Sequence, residues 1–152
     1  MTKKKLEAQP KQNISGEKKL PHDLGIDRIP FNTTIDNRMR NLKAKTGITP
    51  NVLARLGFCL SLEEPGIPTN PFESETVGRE INRNTLLGEH DLVYVCLLRS
   101  WFDINSPKAV SQKEFDDTFV SHMNRGFELI SARIRSLADL HHIVSNRDVS
   151  KS

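Results

Sequence analysis

The chain has 152 residues, 36% of them hydrophobic, with a mean hydropathy of −0.48, which leaves room for one domain and a segment outside its core. The formal charge of +3 is unevenly placed, because residues 1–20 carry +4 and the remainder −1; the basic pI of about 9.0 therefore belongs to the N-terminal segment. No run approaches the ~20 apolar residues of a membrane span, the first residues lack the apolar stretch of a secretory signal, and Cys59 and Cys96, each inside an apolar run, fit buried thiols in a reducing cytoplasm rather than a disulfide framework or a metal site.

Residues 1–25 are rich in Lys, Gln, Pro and Gly with few large apolar groups, so they are expected to be a disordered basic tail. A short extended signal follows in "IDRIPFN", from Ile26, Ile29 and Phe31; Pro30 lacks a ladder donor and confines such a strand to an edge. "TTIDNRMRNLKAKTG" reads as a first helix, capped by Thr33 or Thr34, with Ile35, Met39 and Leu42 on one face and Gly47 as its C-terminal stop. Thr49 and Pro50 restart the chain as N-cap and first helical residue of a second helix, Pro50 to Ser61. Val52, Leu53, Leu56, Cys59 and Leu60 cover a broad arc of it and Phe58 points elsewhere, so this helix must be covered on several sides.

"EEPGIPTNPFESETVG", Glu63 to Gly78, is a long Pro- and Gly-rich connection with four acidic residues, and such loops in small domains tend to be functional. "REINRNTLLGEHD" reads as a turn-rich segment, and "HDLVYVCLLRSWF" as a third helix by preference, although Val93, Tyr94 and Val95 would also suit a buried strand. "SQKE" at Ser111 is a capping box before a long amphipathic stretch whose stripe is Phe115, Phe119, Met123, Ile130, Ile134 and Leu137, with Gly126 positioned to bend or break it. The expected fold is mainly α: a small helical domain over residues 26–146 with one short N-terminal extended segment, and a disordered end at 147–152.

Charge supplies the functional signal. Arg38, Arg40, Lys43, Lys45 and Arg55 face a single acid, Asp36, between residues 35 and 60, whereas residues 63–91 hold seven acids and two arginines. At 100° per residue Arg38 and Lys45 fall on one flank of the first helix's apolar arc, Arg40 and Lys43 on the other. A concentrated basic surface is what a phosphate backbone requires, although a solvated helix face would look similar. His122 and Arg125 in "HMNRG" stand at i, i+3 and form a candidate additional phosphate-contacting pair. No P-loop, HExxH, paired CxxC or dinucleotide fingerprint is present, so neither a catalytic residue nor a cofactor or metal is assigned.

"LKAKTGITPNVLARLGFCLSLEEPGIP", then "EINRNTLLGEHD", then "HMNRG", in that order, resembles the DndE family, the small component of the bacterial Dnd DNA phosphorothioation system. The resemblance runs from about Arg28 to Gly126 and more weakly to about Leu140, leaving the lysine-rich first 20 residues outside. It implies a helical, homo-oligomeric protein that binds duplex DNA, nicked DNA above all, beside a cysteine desulfurase, an ATP-pyrophosphatase-like protein and an ATPase. An oligomer partner would then account for the broad apolar arc of the second helix, with Phe58 a candidate contact.

The order of extended piece, helix, glycine turn and helix is also partly ribbon-helix-helix-like. Pro30 and the single basic side chain Arg28 argue against base reading, so backbone binding suits these residues better. Two alternatives stand beside a non-enzymatic DNA binder. One is an assembly subunit that docks partner enzymes through Glu63–Gly78 and "INRNTLLG"; the other is a nickase centred on His122 and Arg125.

Overall fold

The computed structural model describes residues 19–149. In chain order these form β1 (Arg28–Asn32), α1 (Thr33–Thr46), α2 (Pro50–Glu63), β2 (Val77–Asn82), α3 (Arg83–Leu87), one 3-10 turn (Gly88–His90), α4 (Asp91–Asn105), α5 (Gln112–Arg133) and α6 (Leu137–Val149). The mainly α expectation holds, with a small two-stranded sheet attached.

α1 and α2 form where their periodicity places them. Ile35, Met39 and Leu42 are buried, and Gly47 closes α1 at φ 71, a conformation that a Cβ would strain. The N-cap is Asn32, not Thr33 or Thr34: its side-chain oxygen accepts from the Ile35 amide at 2.8 Å. The two threonines are occupied by Glu75, which accepts from the Thr33 hydroxyl, the Thr34 amide and the Thr34 hydroxyl and so straps the acidic loop onto the start of α1. The Thr34 hydroxyl is the main reason the Glu75 carboxyl lies below its ordinary pKa.

β2 joins the end of the proline-rich connection to the start of the segment read as turn-rich. It pairs antiparallel with β1, Ile29 opposite Ile81 and Phe31 opposite Arg79, with an irregularity before Asn32. Ile29 and Phe31 point into the core while Arg28 points out, an alternation expected of a half-buried strand. The other edge of β1 is met by a side chain. Asn124 of α5 accepts from the Asn32 amide at 3.0 Å and donates to the Pro30 carbonyl at 3.1 Å, so its amide stands where a neighbouring peptide would. With β2 on one edge and Asn124 on the other, β1 is not free to pair across a dimer as a ribbon-helix-helix strand does.

α5 is the central element. Ser111 caps it, accepting from the Glu114 amide, and Phe115, Phe119, Met123 and Ile130 are fully buried. The helix runs through Gly126 without a break. α2 crosses there at Gly57, where a Cβ on either glycine would collide with the backbone of the other. Leu137, expected on the apolar stripe, is exposed and opens α6 after the chain leaves the helix at Ile134.

Several expectations are corrected by burial. Phe58 is 0% exposed and packs against Phe119 and Tyr94 of its own chain, so it is not an oligomer contact, while Val52, expected in the covered arc of α2, is exposed. Cys59 is half-buried and Cys96 exposed, rather than both buried. Residues 19–25 are not a loose tail. Leu20 and Leu24 are buried, the Val110 amide donates to the Lys19 carbonyl, and the Gly25 amide donates to Asp116. Arg83 fastens this stretch through Asp23, the Leu24 carbonyl and Asp91, which places part of "INRNTLLG" inside the fold. The expected disorder of residues 1–18 and 150–152 lies outside the described residues, and α6 extends through Val149.

Candidate nucleic-acid interface

α1 buries one face and presents basic side chains on both flanks of it. On one flank Arg38 is half-buried and donates from Nη1 to the Ser131 hydroxyl of α5 at 3.1 Å, with exposed Lys45 two turns further on. On the other flank Arg40 and Lys43 meet a residue that sequence reasoning missed. Arg79 of β2 reaches across to α1, its Nε 2.8 Å from Asp36 Oδ1. Arg40 Nη2 donates to Asp36 Oδ2 at 3.2 Å. The Arg79 contact is short but lacks the alignment of a hydrogen bond, so it is an ion pair with charge as its main component.

Asp36 is itself nearly buried, its side chain 8% exposed, and holds one guanidinium on each oxygen. Arg40, Lys43 and Arg79, with Ala44 and Pro50, line an open cleft of about 460 Å³. Three cations around one shielded carboxylate leave the cleft with a positive excess, and each guanidinium keeps unused N–H donors. Arg79 escaped notice because its strand did: Val77, Arg79 and Ile81 alternate with Gly78, Glu80 and Asn82, a weak period-2 signal in a mostly polar run.

The remaining candidates lie elsewhere. Arg55 is half-buried on α2, donates from Nε to the Asn51 carbonyl, and does not line the cleft. His122 is 0% exposed and is neither a surface residue nor a phosphate contact. Arg125 donates from Nε to Ser61 Oγ at 2.8 Å, from Nη2 to the Ser61 carbonyl, and from Nη1 to the Gly66 carbonyl. Ser61 Oγ, which accepts from Arg125, is also 2.8 Å from His122 Nδ1 and shares a hydrogen bond with it. The other ring nitrogen, Nε2, has no hydrogen-bond partner among the described residues. The His122 ring packs edge to face against Trp101 at 4.6 Å. Burial first, and the Arg125 charge second, lower the His122 pKa to about 3. A neutral, enclosed imidazole of this kind supports a core role.

Among the described residues no group of His, Cys, Asp and Glu is arranged to hold a metal ion, and no helix is long and apolar enough to cross a membrane. A second groove of about 760 Å³, between β1, the proline-rich loop and the start of α5, carries Glu80, Glu114, Asp116 and Asp117 against Lys113. Its acidic lining would repel a polyanion. α4 presents a different surface. Its buried side holds Val95, Leu98, Trp101 and Phe102, while Leu92 (71% exposed), Val93, Leu97 and Ile104 (83% exposed) face outward.

Comparison with known proteins adds a family to this geometry. The family profile described as "DndE: DNA sulphur modification protein DndE" matches residues 28–137. The fold resembles the crystal structure of DndE from Escherichia coli B7A, involved in DNA phosphorothioation modification, with a TM-score of 0.55 and 23% identity over 69% of this chain and 96% of that one. It also resembles a DndE G21/24K mutant involved in DNA phosphorothioation, with a TM-score of 0.52 and 21% identity over 70% of this chain and 98% of that one. No curated protein sequence matches the chain significantly.

Proposed function

The chain belongs to the DndE family of DNA sulphur modification proteins, and on that premise we propose that it serves DNA phosphorothioation as a non-catalytic component that binds the backbone of duplex DNA. The observation that carries this reading is the set of basic side chains on α1, Arg40 and Lys43 lining the cleft on one flank and Arg38 and Lys45 on the other. Each phosphate that these side chains neutralise releases condensed counterions, so binding should be steeply salt-dependent and tolerant of sequence. Nicked duplex is the preferred form of the substrate. His122 and Arg125 contribute through the fold, and Arg55, half-buried on α2, stands outside the cleft.

Binding of the purified chain to intact, nicked and single-stranded DNA of one sequence, at several salt concentrations, tests this. Tight, salt-steep binding that favours the nick is expected. Absence of binding to all three would remove DNA from the function, and metal-dependent strand cleavage would overturn the non-catalytic assignment.

A second reading is favoured by α4. An outward apolar row of Leu92, Val93, Leu97 and Ile104 is the kind of surface that assembly covers, and it replaces Phe58 as the contact between copies of this chain. The two roles are compatible, since the α4 row and the α1 cations are on different elements. The protein would then act as a homo-oligomer in the cytoplasm beside the ATPase and ATP-pyrophosphatase-like components of the modification system.

A further inference from the structure

We propose that Arg40, Lys43 and Arg79 form a clamp for a single phosphate group and that Asp36, which cannot itself touch an anion favourably, is the clamp's positioning residue. The proposal deepens the DNA-binding reading and rests on it for the source of the phosphate, but not for the chemistry of the cleft. Two guanidinium groups from different elements, one on α1 and one on β2, repel each other and would splay into solvent if left alone. The Asp36 carboxylate prevents that by taking Arg40 on Oδ2 and Arg79 on Oδ1. Arg79 spends only Nε on Asp36 and Arg40 only Nη2, so each keeps further N–H donors, and Lys43 brings an ammonium to the same cleft. Guanidinium pairs fit the oxygens of a phosphate in two-point fashion, which a set of independent surface lysines does not.

Positioning by Asp36 and simple electrostatics lead to opposite expectations. Asp36→Asn removes a negative charge beside the cleft, and charge counting alone says that anion affinity should rise. If Asp36 positions the two arginines, affinity should instead fall by roughly tenfold, as expected when one charge-assisted hydrogen bond to the anion is no longer made.

The decisive measurement follows the arginine Nε–Hε resonances of the full chain during titration with inorganic phosphate, with chloride at matched ionic strength as the blank, and then with duplex DNA. In the natural protein Arg40 and Arg79 should respond to phosphate on one common curve, and in Asp36→Asn that curve should shift to roughly tenfold weaker binding. If Asp36→Asn does not fold, Arg79→Gln serves in its place, and the Arg40 response should weaken to a similar degree although the change lies on β2 and not on α1. An unchanged Arg40 response in Arg79→Gln, equal or tighter phosphate binding in Asp36→Asn, or no phosphate response in the natural protein would each overturn the clamp. Response to phosphate without response to duplex would keep the clamp and sink the DNA reading. Duplex binding that leaves both arginine signals unmoved would do the reverse.

Discussion

Gly57 of α2 and Gly126 of α5 meet backbone to backbone: a Cβ added to Gly57 would stand 2.5 Å from the Gly126 carbonyl oxygen. Neither backbone can yield as the tip of a flexible side chain could, so Gly126→Ala must push the two helices apart along the central packing of the domain. Overpacked cores lose about 1–3 kcal/mol, and occasionally more. Urea unfolding of Gly126→Ala should show a loss at or beyond the upper end of that range. Stability within ~0.5 kcal/mol of the natural protein, typical of a surface change, would mean that the two helices have room to separate at the crossing.

His122 gives the fold an acid-sensitive component. Its pKa is about 3 in the folded chain and near the ordinary 6.5 when unfolded. Between those values the unfolded state binds the extra proton, so stability is complete above about pH 6.5 and declines as pH falls toward 3. The steepest decline available to one such group is about 1.4 kcal/mol per pH unit. Denaturant midpoints measured from pH 7 to pH 4 should fall accordingly, and His122→Leu should flatten that stretch of the profile. An equally steep profile in the variant would move the effect to the carboxylates.

Asn124→Leu keeps the bulk in the core but leaves the Pro30 carbonyl and the Asn32 amide without partners on the sealed edge of β1. A buried polar group that loses its partner costs about 1–3 kcal/mol. Thermal unfolding should report a loss of that order, together with faster hydrogen exchange at the Asn32 amide. Unaltered exchange would show that the edge is protected by something other than this side chain.

Lys43→Ala and Lys45→Ala test the two flanks of α1 separately. Each should flatten the salt dependence of duplex binding by ~0.9 log unit for every phosphate that is no longer neutralised. A smaller change for Lys45 than for Lys43 would assign the stronger contact to the cleft. No change for either would remove α1 from the interface.

Val93→Glu places a charge in the outward row of α4 and should leave the folded chain stable within ~0.5 kcal/mol. If that row joins copies of the protein, light scattering will find a smaller particle than the natural chain gives. An unchanged mass would exclude α4 as the contact.

α1, α2, α4 and α5 were legible in the sequence because their apolar residues repeat at helical spacing and ends carry stop and start residues such as Gly47, Pro50 and Ser111. By contrast, α3 lay in the segment read as turn-rich and α6 was read as a continuation of α5. What escaped depends on partners distant in the chain. β2 is mostly polar and half-exposed, so its identity comes from pairing with β1 and not from its own pattern. Arg79 and its ion pair with Asp36 went unseen with it. Gly126 read as a helix bend because local propensity says nothing of a second glycine crossing it. His122 and Arg125 were correctly seen as one pair, but the helix face they share is turned to Ser61 and not to solvent. Likewise Phe58, which looked like a surplus apolar group, was already claimed by aromatic rings of later helices.

The side-chain seal on β1 also has a timetable. Asn32 and Asn124 are separated by 92 positions, and a ribosome delivers the strand well before the helix that covers it. Until α5 has emerged, the Pro30 carbonyl and the Asn32 amide are an open template to which a neighbouring nascent chain could add. The proline, which contributes no donor of its own, already weakens that template at its centre. The late arrival of one asparagine thus marks the moment at which the growing chain stops being sticky, and a stalled or truncated product ending before α5 should be the form that aggregates.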